Sequence, residues 1–565
     1  MTVETFFANF GHLADAPNGV KTLRELILQL AVQGKLVAQD EKDEPAIKLF
    51  ERRQRVQAKK YPSITDTQEQ FVLPLGWEWV RLGDLGQWAT GSGFPKTIQG
   101  HGDKPILFCK VSDMNLPGNE RFVNKTNNTI DDAMAEKGKI KIHPPGAVVF
   151  PKIGGAIATN KRRVLVKPTA IDNNCLGILP NGLCGTDWLF LLLTSMDLTQ
   201  YQSGTSMPSL SQGTLGMIVT GVPPLKEQKR IVARVDQLMA LCDELEDRQQ
   251  KQQQGRVRLN NAALDALFTA RESDEFVDHW QRISTNFDLL YDHPETIAKL
   301  RAAILQLAVQ GKLVPQKPND EPASVLLERI MGEKEKLVKG KLIRKEKPLV
   351  QIDENFTPFM LPATWKWVRL GYLCRSVEYG TSQKAHAHSS GVPVLRMGNI
   401  FGGKVHHHNL KYVSAEIKDL PKLYLKKGEI LFNRTNSYEL VGKAGVFEGE
   451  DDSFTFASYL IRASLFQKDA IPKFVNYAFN ADYFRKTQIE PELTQQCGQA
   501  NFNGTKLKNT LVPVPPVAEQ KRIVAKVDQL MALCDELETK LNQAQKQSAQ
   551  LMEATVLQFI GKAVM

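Results

Sequence analysis

The chain of 565 residues is 42% hydrophobic and 24% charged, with a formal charge of +10 and a pI near 9.0. That composition predicts a soluble globular protein of three or four domains, and no stretch approaches the roughly 18 uninterrupted apolar residues of a membrane span. The basic balance favours a polyanionic partner.

The N-terminal MTVETFFANFGHLADAP lacks the basic start and apolar run of a signal peptide, which predicts a cytoplasmic protein. Seven cysteines (Cys109, Cys175, Cys184, Cys242, Cys374, Cys497, Cys534) form no CxxC pair, so neither disulfides nor structural zinc are expected. The first predicted element is an amphipathic head helix over Lys21–Gln33, with Leu23, Ile27, Leu30 and Ala31 on one face and Gly34 suited to its C-cap. An EPA turn at Glu44–Ala46 and the charged run ERRQRVQAKK read as solvated helix or linker. LPLGWEWVRLG then opens a block whose β-rich runs include PILFCKVSDM and GAVVFPK. VPPLKEQKRIV closes it. Its prolines stand at a helix start, where a missing N–H costs nothing, and Glu227 lies in the first turn, where the helix dipole favours a carboxylate. Ile231, Val235, Leu238, Cys242 and Leu245 then step by four and three, a seam made to meet another helix. One helix over residues 225–268 would reach roughly 65 Å, with the QQKQQQG run before Arg256 as the place to fray.

The second half writes these elements again. ILQLAVQGKLV stands at Ile27–Val37 and, letter for letter, at Ile304–Val314, a shift of 277. Leu73 of LPLGWEWVRLG maps to Leu361 of LPATWKWVRLG, a shift of 288, and Val222 maps to Val514 of VPPVAEQKRIV, a shift of 292. Such small drift indicates one long copied unit. The second head helix is predicted over Lys299–Gln310 with Gly311 at its end, and the second seam runs through Ile523, Val527, Leu530, Cys534, Leu537 and Leu541. The two blocks are nearly equal in length but differ in most letters. VPVLRMGNI beside PILFCKVSDM pairs Arg396 with Lys110, and GEILFNR beside GAVVFPK pairs Arg434 with Lys152. The expected fold is two copies of an α/β (α+β) block, separated by long antiparallel α-helices with coiled-coil-like seams, in an internal tandem repeat with pseudo-twofold symmetry. The chain divides as head region 1–75, first block 76–222, central helical region 223–360, second block 361–514 and final helix 515–565.

Chemistry is sought in vain in this frame. GSGFPKT at Gly91–Thr97 puts phenylalanine and proline where a phosphate loop needs glycine, and no Asn-Pro-Pro-aromatic motif occurs. Glu416-Ile417-Lys418 has a nuclease-like form but no aspartate stands between Asp353 and Asp419 to share a metal, and the adjacent His406, His407 and His408 lack metal-ligand spacing, reading better as a polar loop. What remains is polar, basic and loop-rich. The first block offers Ser92, Phe94, Lys96, Lys110, Lys152, Asn160, Lys161, Arg162 and Arg163; the second offers Tyr379, Ser382, Lys384, His386, Arg396, Asn399, Arg434, Asn436 and Tyr438. Arginine and lysine suit guanine edges, asparagine suits adenine, and hydroxyls and backbone N–H groups suit phosphates, so these are the candidate DNA-binding residues.

The repeated ILQLAVQGKLV, the two LPxxWxWVRLG openings and the VPPLKEQKRIV and VPPVAEQKRIV exits make the chain resemble, over essentially its whole length, the specificity subunit of type I restriction-modification systems. The resemblance implies that each block is a target recognition domain reading one half of an asymmetric, split site in double-stranded DNA. It also implies that the helices space the domains and dock two modification (methyltransferase) subunits, which restriction (motor and nuclease) subunits then join. Ile231, Val235, Leu238, Leu245, Ile523, Val527, Leu530 and Leu537 are the expected spacer and docking residues. No cofactor is expected in this chain; S-adenosylmethionine, ATP and magnesium are expected on partner subunits, and no membrane is involved. The alternatives are a self-contained restriction or methylation enzyme and a coiled-coil scaffold binding only proteins.

Overall fold

The structure of the chain, a computed structural model, describes residues 10–54, 61–65, 68, 71–204, 207–270, 273–353, 357–496 and 499–560. It divides into two compact units, residues 1–253 with 544–565, and residues 254–543. Both boundaries fall inside the long tail helices, Leu225–Thr269 and Val517–Ile560, of 45 and 44 residues. The QQKQQQG run stays helical, so the first tail helix extends about 67 Å without the expected fraying.

In the first unit the head helix spans Gly19–Val32, beginning slightly before the predicted start, and it stops where glycine permits. Gly34 takes φ 67°, and the Lys35 N–H reaches back to the Leu30 carbonyl at 2.9 Å. A Cβ at Gly34 would stand 2.4 Å from Pro74 Cγ, so the same glycine lets the LPLGW segment approach. Leu23, Leu26, Ile27 and Leu30 share one buried cluster with Ile231, Val235, Leu238 and Cys242 of the first tail helix, and Met552 from the end of the second tail helix joins it. Arg24 ties the head to the tail through Asp243 at 2.5 Å and Glu246 at 2.9 Å.

The second unit repeats each of these contacts. Its head helix spans Pro294–Val309, five residues earlier than predicted, because Pro294 fits the first turn and His293 accepts the Glu295 N–H at 3.3 Å. Gly311 takes φ 72°, the Lys312 N–H reaches the Leu307 carbonyl at 3.0 Å, and Arg301 meets Asp535 at 2.7 Å and Glu538 at 3.0 Å. Ile297, Leu300, Ile304 and Leu307 cluster with Ile523, Val527, Cys534 and the Leu264 and Leu267 end of the first tail helix. The seam residues are thus used inside each unit: Ile231, Val235, Leu238, Ile523 and Val527 are buried, and Leu245, Leu530 and Leu537 are packed against the same clusters. The five buried side chains hold tail to head and offer no surface to a partner, whereas Leu245, Leu530 and Leu537 stay partly exposed.

Each block hangs from a two-stranded neck. Glu78–Arg81 pairs antiparallel with Val219–Val222, and Lys366–Arg369 pairs antiparallel with Leu511–Val514. The repeated letters around the necks have repeated partners. Trp77 Nε1 donates to Glu227 at 3.1 Å and Trp365 Nε1 to Glu519 at 3.0 Å, while Gln39 and Gln316 donate to the same carboxylates at 2.9 and 2.6 Å. Arg81 donates to the Met217 carbonyl at 2.6 Å and Arg369 to that of Asn509 at 2.5 Å. Burial pushes the Glu227 and Glu519 carboxyls above the ordinary glutamate value despite these hydrogen bonds. Both glutamates stand in the first turn of their tail helices, as expected for Glu227, and desolvation is the largest cause of the upward shift at each.

Behind the necks the two blocks share the order and sense of the first five strands of their main sheets, and the second block adds a sixth. The first block's main sheet runs in the order Gly86–Thr90, Cys175–Pro180, Val148–Pro151, Arg163–Leu165, Phe122–Val123. The second block's runs Cys374–Tyr379, Leu460–Leu465, Ile430–Asn433, Ala444–Val446, Lys404–Val405, Ile400–Phe401. The pairs are antiparallel up to the fourth strand, and the fourth and fifth pair in parallel in both. A smaller sheet centres on Ile106–Cys109 in one block and on Val392–Leu395 in the other, each paired in parallel with a later strand, Thr169–Ile171 or Thr455–Phe456. The six described cysteines are buried free thiols, Cys184 pushed up to about 12 by burial; Cys497 lies outside the described residues. No described helix is long and apolar enough to cross a membrane.

Candidate nucleic-acid interface

The parallel pairing in the smaller sheets decides where the basic side chains gather. Parallel strands end together, so Cys109 and Ile171 finish side by side and release Lys110 and Asp172 at one edge; Leu395 and Phe456 do the same for Arg396 and Ala457. The turn after the later strand is held there by Asp172 N–H to the Cys109 carbonyl, 3.1 Å, and Ala457 N–H to the Leu395 carbonyl, 2.9 Å. It also receives the cation ending the third main-sheet strand: Lys152 N–H donates to the Asn174 carbonyl at 2.8 Å, and Arg434 N–H to the Tyr459 carbonyl at 3.2 Å. A fourth segment closes the group, with Ser92 bridging Asp172 and Thr381 bridging Ala457. Its approach needs glycine: a Cβ at Gly91 would stand 1.9 Å from the Asp172 carbonyl oxygen, and one at Gly380 would stand 2.2 Å from that of Phe456. Four segments thus converge in each block, and the contacts make Ser92 equivalent to Thr381, Lys110 to Arg396, Lys152 to Arg434 and Asn174 to Tyr459.

Three of these four cations are held by neighbours. Lys110 Nζ sits 4.6 Å from the centre of the Phe94 ring, which stacks on Phe108 at 3.7 Å. Arg434 lies over Tyr379 at 5.0 Å and donates to the Ser458 carbonyl and to Asn501 Oδ1, both at 3.2 Å. Tyr379 is itself fixed, its hydroxyl accepting the Gly504 N–H at 2.7 Å. Arg396 donates to the Asn409 carbonyl at 2.6 Å. A guanidinium carries five N–H donors, so both arginines retain donors for an outside acceptor, and a fixed fork loses little entropy in using them.

Lys96, Asn160, Ser382, Lys384, His386 and Tyr438 are exposed, while Lys152 and Lys161 are half-buried. Asn160 sits in the left-handed region at φ 48° and donates to the Thr194 carbonyl at 3.0 Å; Arg485 covers the Tyr438 ring at 4.9 Å. Several candidates have structural employment instead. Arg162 is buried, its donors directed to the carbonyls of Leu193, Lys161 and Met196 at 3.0, 3.0 and 3.4 Å, and burial pushes its pKa down to about 10. Asn399 is buried with its amide consumed by Arg396 N–H at 2.9 Å and the carbonyls of His406 and His408 at 2.9 and 2.8 Å. Ser92 is buried and accepts the Lys141 N–H at 2.9 Å, and Arg163 spends donors on the carbonyls of Arg162 and Met114, both at 2.7 Å. Arg162 and Asn399 are therefore withdrawn as readers: they brace the loops. The Asn436 side chain lies outside the described residues. Sequence reasoning passed over Asn174 and Tyr459, whose only signal was their shared place just before a strand, in IDNNCL and FASYL.

A family model described as the type I restriction modification DNA specificity domain matches residues 74–253 and again 362–547. The chain is similar to the EcoAI type I restriction enzyme specificity subunit of Escherichia coli, 30% identical over 570 residues, covering 95% of this chain and 93% of that one. The EcoEI specificity subunit of Escherichia coli is 29% identical over 574 residues, with the same coverage of 95% and 93%. Among solved structures, the HsdS subunit from Thermoanaerobacter tengcongensis has 19% identity and a TM-score of 0.43, covering 88% of this chain and 100% of that one. A chain from a structure on complex assembly of the type I R-M system has 17% identity and a TM-score of 0.49, covering 87% and 100%.

Proposed function

The chain belongs to the type I restriction-modification DNA specificity family, and from that premise we propose that its two blocks read the two different halves of one bipartite, asymmetric site in duplex DNA. The supporting observation is the contrast between frame and contents. The Trp–Glu–Gln clamp, the arginine at each neck and the head-to-tail ion pairs recur with matching geometry, while the side chains at the four-segment edge differ from block to block. Two unlike half-sites need unlike readers; two copies of one partner need like docking surfaces.

The tail helices then act as the spacer between readers, the two halves are related by a pseudo-dyad, and two modification subunits dock on the repeated frame. Leu241 and Leu533, exposed at equivalent positions of the two tails, are better placed for that docking than the buried seam. Restriction subunits join the core, and S-adenosylmethionine, ATP and magnesium are used by those partners, leaving recognition to this chain. The test is exchange of residues 77–222 for the corresponding block of another family member, with modified sites mapped in cells carrying the whole system. One half of the site changes and the other does not; an unchanged site, or change in both halves, overturns the assignment.

A further inference from the structure

The edge where four segments meet is not the same in the two blocks, and the largest difference lies at a position no sequence motif marks. In the second block the turn residue is Tyr459, about half exposed at 53%. It borders a cavity of about 350 Å³ lined also by Arg396, Met397, Gly398, Asn399, His408 and Asn409. The lining surface is mostly apolar although two asparagines contribute to it, with Arg396 as the cation at its side. In the first block the equivalent residue is Asn174, exposed, with its amide N–H donating to Asp172 Oδ2 at 3.0 Å. A phenol ring beside an apolar cavity and a short amide beside a carboxylate present different chemistry from the same backbone position.

We propose that Tyr459 and its cavity form a base-reading subsite of the second block, taking the C5-methyl edge of a thymine next to a guanine paired by Arg396, and that Asn174 occupies the corresponding subsite of the first. Apolar contact suits the thymine methyl and a guanidinium suits guanine O6 and N7, whereas an asparagine amide suits adenine. Arg396 is anchored on the Asn409 carbonyl at 2.6 Å and Arg434 is anchored through Ser458, the neighbour of Tyr459. Tyr459 therefore stands between two fixed cations, where a base edge held by either would meet it. The inference rests on the half-site reading above and names which side chain sets the difference.

The test uses the full chain in cells carrying the whole system, with modified sites mapped genome-wide for Tyr459→Asn, Tyr459→Phe and Asn174→Tyr. Tyr459→Asn shifts base preference by about fivefold or more at one or two adjacent positions of a single half-site, Tyr459→Phe preserves it, and Asn174→Tyr shifts only the other half. Tyr459→Ser serves as a second variant should asparagine lower the yield of folded chain. The inference is overturned if Tyr459→Asn and Tyr459→Ser leave preference intact at every position, or weaken all sequences alike as a phosphate contact would. Exchange of residues 365–514 run in parallel separates the two ideas: if that exchange changes one half-site while the Tyr459 variants do not, the subsite fails and the half-site reading stands.

Discussion

Replacing Trp77 with phenylalanine isolates the clamp that fixes the first block to its frame. The indole N–H donates to the buried Glu227 carboxylate at 3.1 Å, and the ring meets Trp188 edge-on at 5.8 Å. Phenylalanine keeps an aromatic face but removes the donor and leaves a small void. The lost charge-assisted hydrogen bond costs about 1.5–3 kcal/mol and the void about 1 kcal/mol more, so the first unit should lose roughly 2–4 kcal/mol. Urea unfolding followed by far-UV circular dichroism measures this, with each transition fitted separately if the two units unfold apart. Trp365→Phe provides an internal replicate, since its indole donates to Glu519 at 3.0 Å and its ring meets Phe474 at 5.9 Å. The pH dependence follows from the same bond. The Trp77 N–H favours the ionised Glu227, whose folded pKa burial has already raised above the ordinary 4.5. Its contribution is therefore present above that raised pKa and lost as pH falls through it. The cost of Trp77→Phe should be largest near neutrality and shrink as the solution is acidified toward pH ~4.5, where a free glutamate protonates. A cost that ignores pH, or a Trp365 replicate that costs nothing, would refute the clamp.

Gly91→Ala and Gly380→Ala should each destabilise the chain by about 1–3 kcal/mol and abolish recognition by the block concerned, because a Cβ there meets backbone at 1.9 or 2.2 Å; Gly93→Ala, with nothing nearer than 3.8 Å, is the neutral control. Thermal unfolding with site mapping checks this, and a silent Gly91→Ala would show that the four-segment edge is not closed as described. Inserting about seven residues in the exposed Lys251–Gln253 stretch lengthens the first tail helix by about 10 Å, or roughly three base pairs of duplex. The gap between half-sites should widen accordingly or binding should fail; full activity at the original gap rules out a helical ruler.

The frame was largely legible in the sequence because its signals are local. Glycine after the head helix, proline before the tail and apolar residues spaced three and four apart each follow from backbone geometry within a few residues, and the helices end within five residues of where they were expected. The blocks were legible only as short strands. That PILFCK and VPVLR occupy the same place in the same sheet order rests on parallel pairing with strands some sixty residues away, which no periodicity reports. Adjacent arginines show the limit most sharply: Arg162 faces the interior and Arg163 its margin, and the letters do not distinguish them. Asn399 was read as a donor to adenine because its amide is suited to one, but three backbone groups of its own loop claim that amide first.

The paired necks have an evolutionary corollary. Since Glu78 lies opposite Val222 and Lys366 opposite Val514, the polypeptide departs from its scaffold and returns to it at neighbouring points, about 5 Å apart across each ladder. Whatever lies between can lengthen, shorten or be replaced wholesale without tugging on the helices. Crossovers falling in the near-identical sequences on either side would exchange one intact block for another and leave the helical frame as it was.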